Sequence, residues 1–227
     1  MTDLINTQTL STTQLFAGDF PRVTKAITIL TGLVLAVGTL LGKILLGAAT
    51  SAAKTGGNTG DGTLVLDETT PILAGAQAGV YKVRVLRAAV AQVGTDPVVP
   101  AMKALAQLTD PVGNVLAVVD VPTSTGVTVS NQIKFVLTEG STPFAVGDGF
   151  DITIAAGSGK YKAYDADNLD GSQYPELVLS EAIDSTSGDQ KAVAYASGHF
   201  NEAAVTGVDA NAKALLTGKP IFFGSVS

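Results

Sequence analysis

The chain has 227 residues, with 14 Lys and Arg against 20 Asp and Glu, a net charge of −6, no cysteine and no tryptophan. That length suits one large or two modest domains, and a soluble chain of this size buries roughly 70% of its unfolded surface, so it needs no staple to fold. The missing Cys excludes disulfides, thiolate metal sites and a Cys nucleophile; the acidic balance without any Lys/Arg cluster lacks the footprint of a nucleic-acid binder; and 6% aromatics removes the usual stacking platforms for sugars and bases.

Residues 1–14, MTDLINTQTLSTTQ, are polar with isolated Leu and Ile, a composition that is flexible alone. The next feature is AITILTGLVLAVGTLLGKILLG (26–47), aliphatic with one charge, Lys43. A spanning helix needs about 20 continuous apolar residues with interfacial anchors. Here one Lys flanks each side of the uncharged part, no Trp or Tyr lies near, and Gly32, Gly38 and Gly42 interrupt it. Thr31-Gly32 and Val37-Gly38 are turn signals. Between them Ala26–Leu30, Leu33–Val37 and Thr39–Leu41 are strand-sized pieces rich in Ile, Val, Leu and Thr. The expectation is buried strands and no membrane. A secretion signal is not expected either, because the run follows a polar, acidic leader.

Residues 48–62, AATSAAKTGGNTGDG, have the composition of a linker at a domain boundary. Short alternating segments follow. In 79–90 Val83 and Val85 alternate with Lys82, Arg84 and Arg87; in 131–140 Ile133, Phe135 and Leu137 face away from Lys134; in 148–157 Phe150, Ile152 and Ile154 alternate with Asp151 and Thr153. Residues 113–122 form a further, more continuously apolar strand after the Asp110-Pro-Val-Gly113 turn. Short strands at regular spacing predict a small β-sandwich. The stretch 100–108, PAMKALAQL, fits a short helix or another strand. After Gly159 the texture is polar and acidic; 191–200 reads as one strand, and Asp209 caps a short helix over 210–217 that stops at Gly218.

Two separated pieces carry a resemblance. FAGDFPRVTKAITILTG with VLAVGTLLGKI (16–44) resembles the amino-terminal half of the lambda-type phage head decoration proteins. GKYKAYDADNLDGSQYPELVLSEAIDS, KAVAYASGHFNEAAV and GKPIFF, within 159–223, are similar to the remainder. In the family pattern the LGK strand runs after a few residues into GKYK, whereas here Leu41-Gly42-Lys43 and Gly159-Lys160-Tyr161-Lys162 are far apart. The resemblance therefore implies an insertion. At the seam, LAVGTLLGKI (35–44) and FAVGDGFDITI (144–154) share an apolar residue, Ala-Val-Gly and then a strand.

The resemblance implies a mainly β chain in three parts. Residues 1–15 are a flexible capsid-binding arm carrying Leu4, Ile5, Leu10 and Leu15. Residues 16–44 with 159–227 are the decoration domain, a β-tulip-like fold with few short helices. Residues 45–158 are an inserted β-sandwich of immunoglobulin-like type. Phe20, Ile27, Ile29, Leu33, Leu35 and Leu40 are then core and trimer-facing residues. The expected function is a cement protein, not an enzyme, binding the outside of the expanded phage head as homotrimers. Its partner is the major capsid protein; for the insert three roles stay open, namely extra trimer contact, contact between trimers, or binding to a host or environmental surface ligand. The alternative is a surface adhesion module whose insert binds a host or glycan ligand.

Sharper chemical readings are weak. Asp165, Asp167 and Asp170 suggest a calcium loop ending at Glu176, but Leu169 stands at its fifth position and Gly171 at its seventh, off the required pattern. His199 and Glu202 form an H-x-x-E pair without a nucleophile or a second His. GGNTGDG (56–62) lacks the Lys-Ser/Thr ending of a phosphate loop. No catalytic site, cofactor or metal is expected.

Overall fold

A computed structural model of the chain describes residues 14–94, 101–123 and 125–226. Leu4, Ile5 and Leu10 lie outside the described residues. The chain divides into two compact units: one joins the residues up to Ile44 to those from Gly159 onward, and the other is Leu45–Ser158. Both are β-rich, and the described residues contain a single α-helix.

In chain order the first unit begins with β1 (Thr24–Ile29), β2 (Val34–Leu35) and β3 (Leu40–Lys43). The second contains β4 (Leu46–Ala53), β5 (Thr63–Leu66), β6 (Gly79–Arg87), β7 (Ala104–Thr109), β8 (Val115–Val121), β9 (Val127–Asn131), β10 (Ile133–Thr138) and β11 (Gly149–Ala156). The first unit then resumes with β12 (Tyr161–Ala163), β13 (Pro175–Leu179), β14 (Ile183–Asp184), β15 (Gln190–Tyr195) and β16 (Gly198–Asn201). It ends with a 3-10 turn (Glu202–Ala204), α1 (Ala210–Leu216) and β17 (Ile221–Gly224).

In the first unit β1, β12, β3, β13 and β15 close into a barrel in that order. Successive side chains of a strand point to opposite faces, so one strand feeds two cores. Leu41, Leu177 and Leu179 join Ile27, Ile29, Leu35, Tyr161, Ala192 and Ala194 in one cluster. Their neighbours Leu40 and Val178 turn the other way, to Tyr164, Phe200, Val205, Ala212, Leu216 and Ile221. The apolar run 26–44 thus becomes β1 to β3, and no helix among the described residues is long and apolar enough to cross a membrane.

In the second unit a five-stranded sheet, β4-β11-β6-β7-β8, and a three-stranded sheet, β5-β10-β9, share one core. Tyr81, Val83 and Val85 of β6, Ala104, Ala106 and Leu108 of β7, and Ile152 and Ile154 of β11 meet Ile133, Phe135 and Leu137 of β10. The alternation read from the sequence is the alternation of burial here.

Two local readings change and one open choice is decided. Residues 48–53 are not linker: they lie in β4, whose backbone pairs with β11 from Ala53↔Phe150 to Ala49↔Ile154. Ala, Ser and Thr carry no apolar contrast, so nothing local marks the strand. Of the two readings left open for 100–108, the strand holds over residues 104–108, which lie in β7. Residues 191–200 split into β15 and β16 at buried Ser197, whose hydroxyl accepts from the Val23 N–H (2.9 Å) and donates to the Pro21 carbonyl (2.8 Å).

Candidate functional site

The amino-terminal segment enters the first unit beside β16. The Leu15 carbonyl accepts from the Asn201 N–H at 2.8 Å, the Ala17 N–H donates to the His199 carbonyl at 2.9 Å, and Asn201 Nδ2 donates to the Gln14 carbonyl at 2.9 Å. Residues 15–17 therefore run antiparallel to β16, with Phe16 bridged to Phe200. On the other side β16 pairs in parallel with β17, Gly198↔Ile221 through Asn201↔Gly224. The result is a small three-stranded ribbon with the root of the amino-terminal segment along one edge.

Ring packing fixes that root. Phe16 meets Tyr195 edge-on at 5.1 Å and Phe200 at 5.4 Å, and the Arg22 guanidinium lies 4.0 Å from the Phe16 ring centre, a cation–π arrangement. Phe20 stands edge-to-face on Phe222 at 4.8 Å. The His199 imidazole is wedged between two glycines: a Cβ on Gly18 would come 2.6 Å from Nδ1, and one on Gly224 would collide with Nε2. His199 is thus a half-buried packing group. Its H-x-x-E partner Glu202 instead pairs with Lys213 at 2.7 Å.

The other candidate side chains distribute as follows. Leu15 packs half-buried against the cluster that holds Leu40. Ile27, Ile29 and Leu35 are buried in the barrel cluster, with Leu33 partly buried against it. Four of the six residues singled out for core and trimer contact, Ile27, Ile29, Leu35 and Leu40, are therefore inside this chain's own core. The same stretch leaves Val23, Val34 and Val37 exposed, at 57%, 71% and 47%. Val34 is exposed by the alternation of β2, where Leu35 is the buried neighbour, while Val23 and Val37 lie just outside the strands.

Polar groups on the barrel are internally matched. The Tyr161 hydroxyl donates to Glu176 Oε2 at 3.1 Å, with Lys25 Nζ at 3.4 Å on its other side. Burial, then the Glu176 charge, push the Tyr161 hydroxyl up to about 12. In the 165–176 loop Asp165 accepts from the Asp167 N–H, and Asp170 pairs with Lys162 at 2.9 Å and with the Ser172 hydroxyl at 2.6 Å. Burial of Asp170 raises its pKa, but the Ser172 and Lys162 hydrogen bonds outweigh it and hold the group below the usual carboxylate range. Among the described residues no group of three or more His, Asp or Glu side chains is placed to hold a metal ion. On the second unit, two of the three basic residues of β6 are paired: Arg84 with Asp151 at 2.5 Å and Arg87 with Asp120 at 3.3 Å.

The arrangement roots the amino-terminal segment on β16 and leaves Val23, Val34 and Val37 exposed. No curated protein and no solved structure matches the chain. The family model for bacteriophage lambda head decoration protein D matches residues 4–217, across both compact units. With that match covering most of its 227 residues, the chain belongs to the bacteriophage lambda head decoration protein D family, structural proteins of the phage head.

Proposed function

We propose that the protein binds the outer surface of an expanded phage head as a trimer and cements neighbouring capsid subunits. The family match over 4–217 carries this reading. Three copies of a modest site on one rigid trimer act at high effective concentration, so attachment is strong without a large interface per copy. Sites that span different capsid subunits exist only on the expanded lattice, and binding stabilises that lattice by mass action.

In this reading residues 1–15, with Leu4, Ile5, Leu10 and Leu15, add a strand to the shell. The lattice supplies the free edge that offsets the ordering cost. The hydrogen bonds from Asn201 to Gln14 and Leu15 support it, because they give the segment a fixed root. Trimer contacts draw on Phe20 and the 26–44 stretch, where Val23, Val34 and Val37 supply exposed apolar surface. Residues 45–158 are an inserted, immunoglobulin-like sandwich that adds contacts within or between trimers or meets a host surface. The protein does no chemistry.

Co-sedimentation with expanded capsids lacking this protein, followed by a heat challenge, tests the reading. Saturable binding near three copies per local threefold, with shells surviving to higher temperature, is the expected result. Absence of binding overturns it. Deleting residues 2–14 should abolish binding and leave the trimer intact; an arm-less trimer that still saturates shells would remove the arm from the mechanism.

A further inference from the structure

The last strand of the chain ends a sheet without covering its edge. In a parallel ladder, alternate residues of a strand turn both N–H and C=O to the same side. The Gly198 N–H donates to the Pro220 carbonyl at 2.9 Å, and the register pairs Gly198 with Ile221. On β16, Gly198 and Phe200 therefore face β17, while His199 and Asn201 face residues 15–17, as the bonds to Ala17 and Leu15 show. On β17 it is Phe222 that faces β16. Ile221 and Phe223 turn their peptide groups outward, and no hydrogen bond among the described residues reaches them there.

Natural edges of this kind are blunted by Lys, Pro, a bulge or a covering element. Lys219 and Pro220 stand just before β17 and the strand is only four residues long, but Ile221-Phe222-Phe223-Gly224 itself carries no Lys, Pro or bulge. Open grooves adjoin the strand: one of about 370 Å³ lined by Leu216, Ile221, Phe222 and Phe223 among others, and one of about 540 Å³ reaching Val208, Gly224 and Ser225. The side chains alternate as a docking edge requires. Ile221 is buried and Phe223 packs on the same core, while the Phe222 ring is 46% exposed on the opposite face beside Phe20.

We propose that the free edge of β17, with the exposed Phe222 ring, takes up an extended strand of the capsid shell as a second attachment point. The proposal rests on the decoration reading and names a further partner surface for it. The capsid is favoured over a second copy of this chain by continuity. The other edge of the same ribbon is residues 15–17, the root of the amino-terminal segment, two strand spacings or about 10 Å away. A shell surface engaged by residues 1–15 lies beside the open edge of that ribbon. Backbone pairing then supplies affinity and the Phe222 side chain the selectivity.

Hydrogen exchange on the full chain, free and bound to expanded capsids that lack it, reads the edge directly. The amides of Ile221 and Phe223 should exchange at least about tenfold more slowly on the shell. Two variants test the energetics. Phe222→Glu places a charge on the exposed face, and Phe223→Pro removes an outward N–H without removing a ladder bond. Phe222→Glu loses the ring contact to Phe20 and Phe223→Pro a partly buried ring, so each is assayed below its own melting temperature, where both should bind shells about tenfold more weakly. If Phe223→Pro fails to fold, Phe222→Glu decides alone. Unchanged exchange at 221–224 on bound wild-type protein, or wild-type affinity in Phe222→Glu, overturns the proposal. So does protection of these amides by self-association without capsids, which would assign the edge to a second copy. A wild-type chain that never binds shells takes this inference down together with the decoration reading, and that outcome is visible before any variant is made.

Discussion

Gly42 shows how a short motif can be visible in a sequence while its reason is not. It sits at the centre of Leu-Gly-Lys in β3, and a Cβ there would collide with the Ser172 backbone carbonyl, which has no way to move aside. Gly42→Ala should therefore cost about 3 kcal/mol through overpacking. A thermal melt of the variant coinciding with that of the wild type would refute the close-approach argument. Asp148 works by the opposite means, holding two loops together by accepting hydrogen bonds from the backbone N–H groups of Thr59, Gly60 and Ala145, each at 2.9 Å. Asp148→Ala should cost about 2 kcal/mol, because three backbone donors, the Gly60 N–H among them buried, lose a charged acceptor. Burial raises the carboxyl's pKa, but the hydrogen bonds from Gly60, Thr59 and Ala145 outweigh it and leave the group below its ordinary value. The folded state thus favours the ionised form. Its contribution is present above the unfolded-chain value of about 4 and is lost as pH falls through the lower folded value. Urea midpoints measured from neutral to acid pH should fall more steeply for wild type than for Asp148→Ala. None of this was legible beforehand, since partners 88 and 89 positions away leave no local mark.

Elements were legible where side chains contrast. Val83/Arg84/Val85 and Ile152/Thr153/Ile154 alternate between core and surface, so period two alone locates β6 and β11. Strand β4 lacks that contrast; its position is set by pairing with β11 and not by its own residues. The division of 191–200 into β15 and β16 depends on a serine bonded to Pro21 and Val23, a contact sequence order cannot reveal. The helix α1 was readable from its cap. Asp209 Oδ1 accepts from the Ala212 N–H at 2.5 Å, and Gly218 follows with a φ of 83° that suits a glycine stop. Asp209 also accepts from the Tyr164 hydroxyl at 3.2 Å, which ties the helix start to the core. Asp209→Ala should lower stability by about 1 kcal/mol or somewhat more. Asp209→Asn, which retains an acceptor, should recover most of that loss in the same denaturant titration. Equal losses in the two variants would mean that charge, not capping, matters there.

The two units have separate cores: the cluster around Tyr81, Phe135 and Ile152 shares no residue with those around Leu41 or Leu40. Their chain connections are also simple. Within the second unit β4 and β11 pair antiparallel, so its two ends leave from neighbouring strands. Within the first, Lys43 pairs with Tyr161 and the Gly159 N–H donates to the Ile44 carbonyl at 3.0 Å. Strands β3 and β12 are thus already placed as the arms of a hairpin, and a two-residue Asn-Gly turn is enough to join them. Replacing residues 45–158 with that turn should give a folded protein, because each core buries its own apolar surface and the shorter loop costs less closure entropy. The excised segment 45–158 should likewise show cooperative unfolding by circular dichroism. Binding of the shortened chain to expanded capsids then separates two roles. Retained binding assigns attachment to the first unit, whose residues 15–17 and β17 lie on one ribbon, and leaves the second unit for contacts beyond the shell. A shortened chain that folds and self-associates but no longer binds would place the attachment in 45–158, and the root formed by Gln14, Leu15 and Asn201 would then be a structural anchor alone.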